Sequence, residues 1–264
     1  MRREFIDDLL RGDADVSRMV ERAEPLGLDL GQPHQVALAT SGGGTADVDR
    51  AAIVLERVVV DRFGDRDVLV ATKDGRLVVL VPGAVSQATS LDRAEDITRL
   101  LQAELGRLGK GHPWRVAAGR PFPGFYGIAR SYEEAREALT LAERLHLDTD
   151  VVPARDLLVY RVLGRDQAAI VDLVHAVLDP LTQARGGAEP LLTTLQTYFD
   201  TGEIATETAR RLHMSVRTVT YRLAKVKTLT GHDPADPAQR FSLHAAVLGA
   251  RLLDWPAHDL PDSG

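Results

Sequence analysis

The order of hydrophobic patterns along this chain is what most narrows its fold. Over the first 160 residues, short β-branched and aliphatic runs alternate with segments of helical spacing, and helical spacing alone follows. VALAT (36–40), DVLVA (67–71) and RLVVLVP (76–82) are bounded by Gly, Asp and Pro and read as strands. The second and third are separated by Thr72-Lys73-Asp74-Gly75-Arg76, where Asp-Gly supplies the positive φ of a tight hairpin. A helix is expected over Val48–Phe63, with Ile53, Val54, Val58 and Val59 on one side, and another over Leu91–Leu108. A strand at Trp114–Ala118, a helix at Ser131–Leu145 and a late strand at Val151–Val159 complete the series. Strand, helix, hairpin, helix, strand, helix implies an α/β sandwich with one layer of helices against a mixed sheet, not a doubly wound fold.

Residues 4–28 carry helical spacing, with Phe5, Ile6, Leu9 and Leu10 and then Val16–Leu26 before Gly27. Gln167–Leu178 places Ile170, Val171, Val174, Val177 and Leu178 at helical spacing, and Gln183–Glu189, with Gly186-Gly187, reads as a linker. The expected organisation is a helical lead-in at 1–30 and an α/β domain at 31–160. A connecting helix and linker at 161–189, a helical domain at 190–255 and a frayed tail at 256–264 follow. The fold class is therefore α/β followed by all-α.

With 264 residues and 44% hydrophobic content, the chain can fill two ordinary cores. It has no cysteine, which excludes disulfides, thiolate metal sites and a cysteine nucleophile and fits a cytoplasmic location. The start, MRREFIDDLLRGD, lacks the apolar core of a signal peptide, and no run approaches the roughly 20 apolar residues of a membrane span. No membrane partner is expected.

Charge is unevenly placed. Ile204–Gly231 holds six basic residues and one acidic residue, a formal +5, within a chain of −6, so the remainder carries −11. A basic island on an acidic body marks a local polyanion contact, and its pattern is that of a helix-turn-helix, which points to double-stranded DNA. Ile204, Ala205, Thr208, Ala209 and Leu212 share one face of a first helix; Leu212-His213-Met214-Ser215 forms the turn. His213 stands where many such turns have glycine, and is read as a left-handed turn residue first and a sensor second. Ser215 can cap the second helix, whose apolar face is Val216, Val219, Leu223, Val226 and Leu229 and whose end is Gly231. At about 100° per residue, Arg217, Thr218, Tyr221 and Lys225 point the other way. The first turns of such a helix meet base edges and later side chains meet phosphates. Arg217, Thr218 and Tyr221 are assigned to base reading, Arg217 with the fork that matches guanine. Ser215 stands beside them. Arg222, Lys225 and Lys227 are phosphate candidates, and Arg210 and Arg211 on the first helix could hold the opposite backbone. Against this stands a plain amphipathic hairpin with a solvated basic face, in which Tyr221 is core and Arg222 a structural partner. The β-branched start Val216, Thr218, Val219, Thr220 is poor for helix propensity and favours the contact reading.

The stretch LLTTLQTYFDTGEIATETARRLHMSVRTVTYRLAKVKTLTG, followed by DPADPAQRFSLHAAVLGARLL, resembles the C-terminal domain of PucR/CdaR-type bacterial transcriptional regulators, with a Fis-like helix-turn-helix. The preceding region is similar to the GGDEF-like domain those regulators carry, a ferredoxin-like, cyclase-like α/β sandwich, so the resemblance covers nearly the whole chain. Arg217 stands where members commonly have Asn, and Thr220 where they often have a basic residue, a departure that bears on operator preference. Members often carry a separate N-terminal sensory domain; this chain begins at the lead-in helix and reads as a short member or a fragment. The resemblance implies a sequence-specific regulator that binds promoter DNA as a homodimer and answers to an unidentified small-molecule effector.

Enzyme readings find little support. A diguanylate cyclase needs GG(D/E)EF at the central hairpin, and TKDGR (72–76) offers one Asp and no glycine pair for two-metal phosphoryl chemistry. Gly42-Gly43-Gly44 is not completed by GxxxxGK(S/T) or GxGxxG. The histidines at 34, 112, 146, 175, 213, 232, 244 and 258 show no HxH, HExxH or HxxxH spacing, and no GxSxG elbow is present. No catalytic residue, cofactor or metal is assigned. The alternative from another class is a small-ligand or degenerate nucleotide-binding protein whose helical domain mediates assembly.

Overall fold

The computed structural model describes residues 2–83, 87–108, 112–145, 147 and 149–260. His146 and residues 261–264 of the tail lie outside the described residues. Contacts divide the chain into two units, Met1–Leu158 and Val159–Gly264.

The first unit opens with α1 (Arg2–Arg11) and α2 (Val16–Ala23), then runs β1 (Pro33–Ser41), α3 (Thr45–Phe63), β2 (Leu69–Lys73), β3 (Arg76–Pro82), α4 (Gln87–Leu108) and β4 (Trp114–Ala118). A two-residue strand β5 (Phe122–Pro123), the helix α5 (Phe125–Arg144) and β6 (Val151–Pro153) complete it. The hairpin turns on Asp74-Gly75, with φ of 50° and 71°, the two positive values that a two-residue loop needs to match strand twist. The sheet order is β2-β3-β1-β4-β6, with β5 on β1; the first four strands pair antiparallel and β4 pairs parallel with β6. That order, with one helix after β1 and one after β3, is the ferredoxin-like arrangement.

Both faces of the sheet are covered. Ala37, Ala39, Leu77, Val79 and Val116 pack against Val48, Leu55 and Val59 of α3 and Ile97, Leu101 and Leu105 of α4. Alternate residues Val36, Leu38, Val78, Leu80 and Ala117, on the other face by the period of two, are buried too. That face receives α5, which lies along β1 and β4 with α1 against it. One helical layer was expected, and there are two, because the middle of this second face, Val36 and Leu38 of β1 and Val78 and Leu80 of β3, is apolar as well.

Three further expectations shift. On α3 the buried stripe is Val48, Ala51, Leu55 and Val59, while Ile53 is 77% exposed and Val54 also faces out. Helix α5 begins at Phe125, after Gly124 at φ 79°, and Ser131 is a buried mid-helix residue whose hydroxyl accepts the Val36 N–H at 2.9 Å. The last strand ends at Pro153, and the residues from Leu158 to Leu163 form α6.

The second unit is helical: α7 (Gln167–Leu178), α8 (Glu189–Asp200), α9 (Ala205–Arg211), α10 (Val216–Thr230) and α11 (Pro237–Leu253). Val174, Leu178, Leu181, Leu195, Val226, Leu243, Ala246 and Ala250 form its core. Gly186 and Gly187, both at positive φ, turn the chain inside this unit. Among the described residues no helix is long and apolar enough to cross a membrane, and no group of three or more His, Asp or Glu is placed to hold a metal ion.

Candidate nucleic-acid interface

Two helices joined by a tight turn build the basic surface. Helix α9 approaches its neighbours through small and self-satisfied side chains: Ala209 is buried, and the buried Thr208 hydroxyl donates to the Ile204 carbonyl at 2.9 Å and meets the Thr201 hydroxyl at 2.9 Å. Ile204, expected in the apolar face, is half exposed because it is the N-cap, outside the helical stripe. The turn closes with Met214 N–H donating to Ala209 C=O at 2.9 Å, and His213 takes the left-handed φ of 53°. A histidine tolerates that region at modest cost, which suffices for a sharp turn without glycine.

Ser215 then sits in extended backbone and its hydroxyl accepts the Thr218 N–H at 3.1 Å, satisfying one orphan donor at the start of α10. At the other end Gly231, at φ 73°, ends the helix in the left-handed conformation. Val219 and Val226 are fully buried and Leu223 and Leu229 half-buried, while Val216, expected with them, is exposed in the first turn. This anchoring fixes the outward face. Arg217 is exposed, Tyr221 is 68% exposed and Lys225 is half-buried, so Tyr221 is not core. Thr218 turns its hydroxyl to Ser215 at 2.8 Å.

The basic side chains fall into two groups. Arg210 is paired with Glu207 on its own helix at 2.7 Å. Lys227 is paired with Asp233 at 2.6 Å, an exposed pair that raises the lysine's pKa and lowers the carboxylate's through their mutual hydrogen bond. Arg222 reaches across to α8, donating to Thr194 Oγ1 at 3.0 Å and to the Pro190 carbonyl at 3.3 Å, and so serves as a tie between helices. Arg211, Arg217 and Lys225 have no hydrogen-bond or ion-pair partner among the described residues. Three of the segment's six cations are thus uncommitted among the described residues.

Sequence reasoning missed the partners rather than the helix. Asp233 lies beyond the Gly231 turn, outside any i,i+4 relation with Lys227, and Thr194 is 28 residues from Arg222. The loop before α9 is held by an ion pair between Glu203, at φ 67°, and Arg240 of α11, which no local pattern announces. Because Arg222 donates charged hydrogen bonds to the buried Thr194 and the half-buried Pro190, Arg222→Ala is expected to destabilise the helical unit by about 2 kcal/mol. A fall of about 10 °C in its melting transition, followed by circular dichroism, is the corresponding readout; an unchanged transition would return Arg222 to the solvated surface.

Comparison with known proteins places both halves. The GGDEF-like domain family matches residues 11–141, and the PucR C-terminal helix-turn-helix domain family matches residues 191–248. An uncharacterized protein of Mycobacterium tuberculosis is 28% identical over 258 residues, covering 96% of this chain and 58% of that protein. The carbohydrate diacid regulator of Escherichia coli (strain K12) is 25% identical over 252 residues, 94% of this chain and 65% of that protein. The purine catabolism regulatory protein of Bacillus subtilis (strain 168) is 34% identical over 79 residues, 30% of this chain and 15% of that protein. The chain spans about three fifths of the length of the first two of these relatives. A crystal structure of a regulator of polyketide synthase expression from Bifidobacterium adolescentis aligns with a TM-score of 0.43 at 22% identity, covering 95% of this chain and 97% of that one. The chain thus pairs a GGDEF-like α/β domain with a PucR-type helix-turn-helix domain, the domain pair expected of PucR/CdaR-type regulators.

Proposed function

We propose that this chain binds promoter DNA sequence-specifically as a homodimer, inserting α10 into the major groove, and that it does so in the cytoplasm under control of a small-molecule effector. The observation that carries the reading is the outward face of α10. Its Ser215-capped first turn presents Arg217 and Tyr221 to solvent with no partner for the guanidinium among the described residues, while Val219 and Val226 lock the opposite face. Arg217, Thr218 and Tyr221 read bases, with Ser215 at the helix start beside them. Arg211 and Lys225 take phosphates directly. Arg210 and Lys227 take them by exchanging exposed ion pairs worth little in water. Arg222 contributes through the position of α10.

One recognition helix buries too little surface for a tight operator complex, so two copies present two helices to half-sites about 34 Å apart. The GGDEF-like domain carries no cyclase chemistry in this reading, since its hairpin turn is Asp74-Gly75 and not the acidic, glycine-paired loop that two-metal catalysis needs. Labelled duplex fragments flanking the protein's own gene, titrated at several salt concentrations, test the proposal. Saturable binding of two chains per site is expected, with a slope of log affinity against log salt steeper than about −3 for four or more phosphate contacts. A shallower slope, or equal affinity for scrambled duplex, would overturn it.

A further inference from the structure

A second site lies in the GGDEF-like domain, on the sheet face that receives α5. Thr40 pairs with Arg115 across β1 and β4, and Ala39 pairs with Leu77 across β1 and β3, so the next residue of β3, Arg76, stands opposite Thr40. Arg76, Thr40 and Arg115 therefore form one row across three adjacent strands. By alternation they point away from the α3 and α4 core, toward the C-terminal half of α5. Together with Leu139 and Glu143 of α5 and Asp150, they line an open cleft of about 430 Å3.

Its charge is polar along its length. At one end Arg76 is half-buried and has no hydrogen-bond or ion-pair partner among the described residues, and the exposed Asp74 of the hairpin turn is the one carboxylate lining that end. At the other end Arg115 gives one N–H to the Leu147 carbonyl at 3.3 Å and is next to Asp150, whose carbonyl accepts the Val116 N–H at 2.7 Å. Glu143 and Asp150 are exposed there, and neither is paired among the described residues, so two carboxylates face a single guanidinium already partly engaged. A pure anion would meet Glu143 and Asp150; a pure cation would meet Arg76. A molecule negative at one end and positive at the other offsets both. Arg76 on β3 and Asp150, just before β6, stand three strand spacings apart, about 14 Å, and one long and one short side chain reaching inward leave roughly 5–8 Å between the ligand's charges. An α-amino acid is too short for that span, while an ω-amino acid or a dipeptide fits it, with Leu139 against its methylenes.

We propose that this cleft binds a short zwitterion, its carboxylate on Arg76 and Thr40 and its ammonium on Glu143 and Asp150. The site is independent of the DNA-binding reading, because it is measured without DNA. Calorimetric titration of the full chain with 5-aminovalerate and glycylglycine is expected to give saturable binding, at least tenfold tighter than with valerate or pentylamine, which each keep one end. Arg76→Gln and Glu143→Gln should each weaken it tenfold or more, with melting curves recorded beside the titrations to verify folding, and the exposed Ile53→Ser should leave it intact. Absence of saturation at about 10 mM, half-ligands binding as tightly as the zwitterions, or unaltered binding by both glutamine variants would overturn the proposal. So would GTP titrating where the zwitterions do not.

Discussion

Replacing Gly119 by alanine is expected to unfold the GGDEF-like domain or to lower its stability by about 3 kcal/mol or more, while the helical unit keeps its own transition. The glycine sits just past β4 where α5 crosses the sheet most closely: its N–H donates to Val36 C=O at 3.0 Å, its carbonyl accepts from the buried Gln35 side chain at 2.9 Å, and Ser131 bonds Val36 N–H from above. A Cβ at Gly119 would land on the Ser131 backbone carbonyl, inside any real contact. Backbone cannot swing away as a flexible side chain can, so α5 would have to lift and uncover the second sheet face. The chain's two tryptophans make this measurable, since Trp114 lies in the first unit and Trp255 in the second. In a Trp255→Phe background, the denaturant transition followed by fluorescence reports the first unit alone. Gly106→Ala is the control: nothing lies within 4 Å of a Cβ there, and in a helix it should be neutral or stabilise by up to about 1 kcal/mol. A Gly119→Ala transition that coincides with the parent would mean that α5 is not held in this close approach.

The same close packing marks how far the sequence could be read. Strands β1 to β4 announced themselves because β-branched runs sit between turn residues, and Asp74-Gly75 named its own hairpin. The α3 stripe did not, because its middle, AAIVLERVVV, is apolar on several sides and offers more than one face at helical spacing. The sheet chose Leu55 and Val59, and Ile53 was left outside. Ser131 looked like a helix start because serine usually caps, whereas here its hydroxyl satisfies a backbone donor of β1. In the helix-turn-helix, local signals were enough for the left-handed His213, the Ser215 cap and the Gly231 stop. What escaped was the pairing of charges. Arg222, Lys227 and Arg217 look alike in one dimension, and only the fold reveals that the first two have acceptors within reach.

That difference sets the last expected result. Arg217→Ala should lower affinity for a selected operator by about 10- to 100-fold, which is the roughly 1–3 kcal/mol carried by a bidentate base contact, and should relax preference at one position per half-site. Its affinity for random duplex should fall far less. Lys225→Ala should behave in the opposite way: about equal losses on operator and random duplex, with the salt slope reduced by about one for each copy bound. Both side chains lack partners among the described residues, so neither substitution leaves an acceptor stranded there, and melting curves should coincide with the parent. The pair of variants separates recognition from attraction because each acts on a different observable, the specificity ratio for Arg217 and the salt slope for Lys225. Equal losses on operator and random duplex for Arg217→Ala would place that guanidinium on a phosphate. A changed specificity ratio for Lys225→Ala would mean that α10 enters the groove deeper along its length than its first two turns.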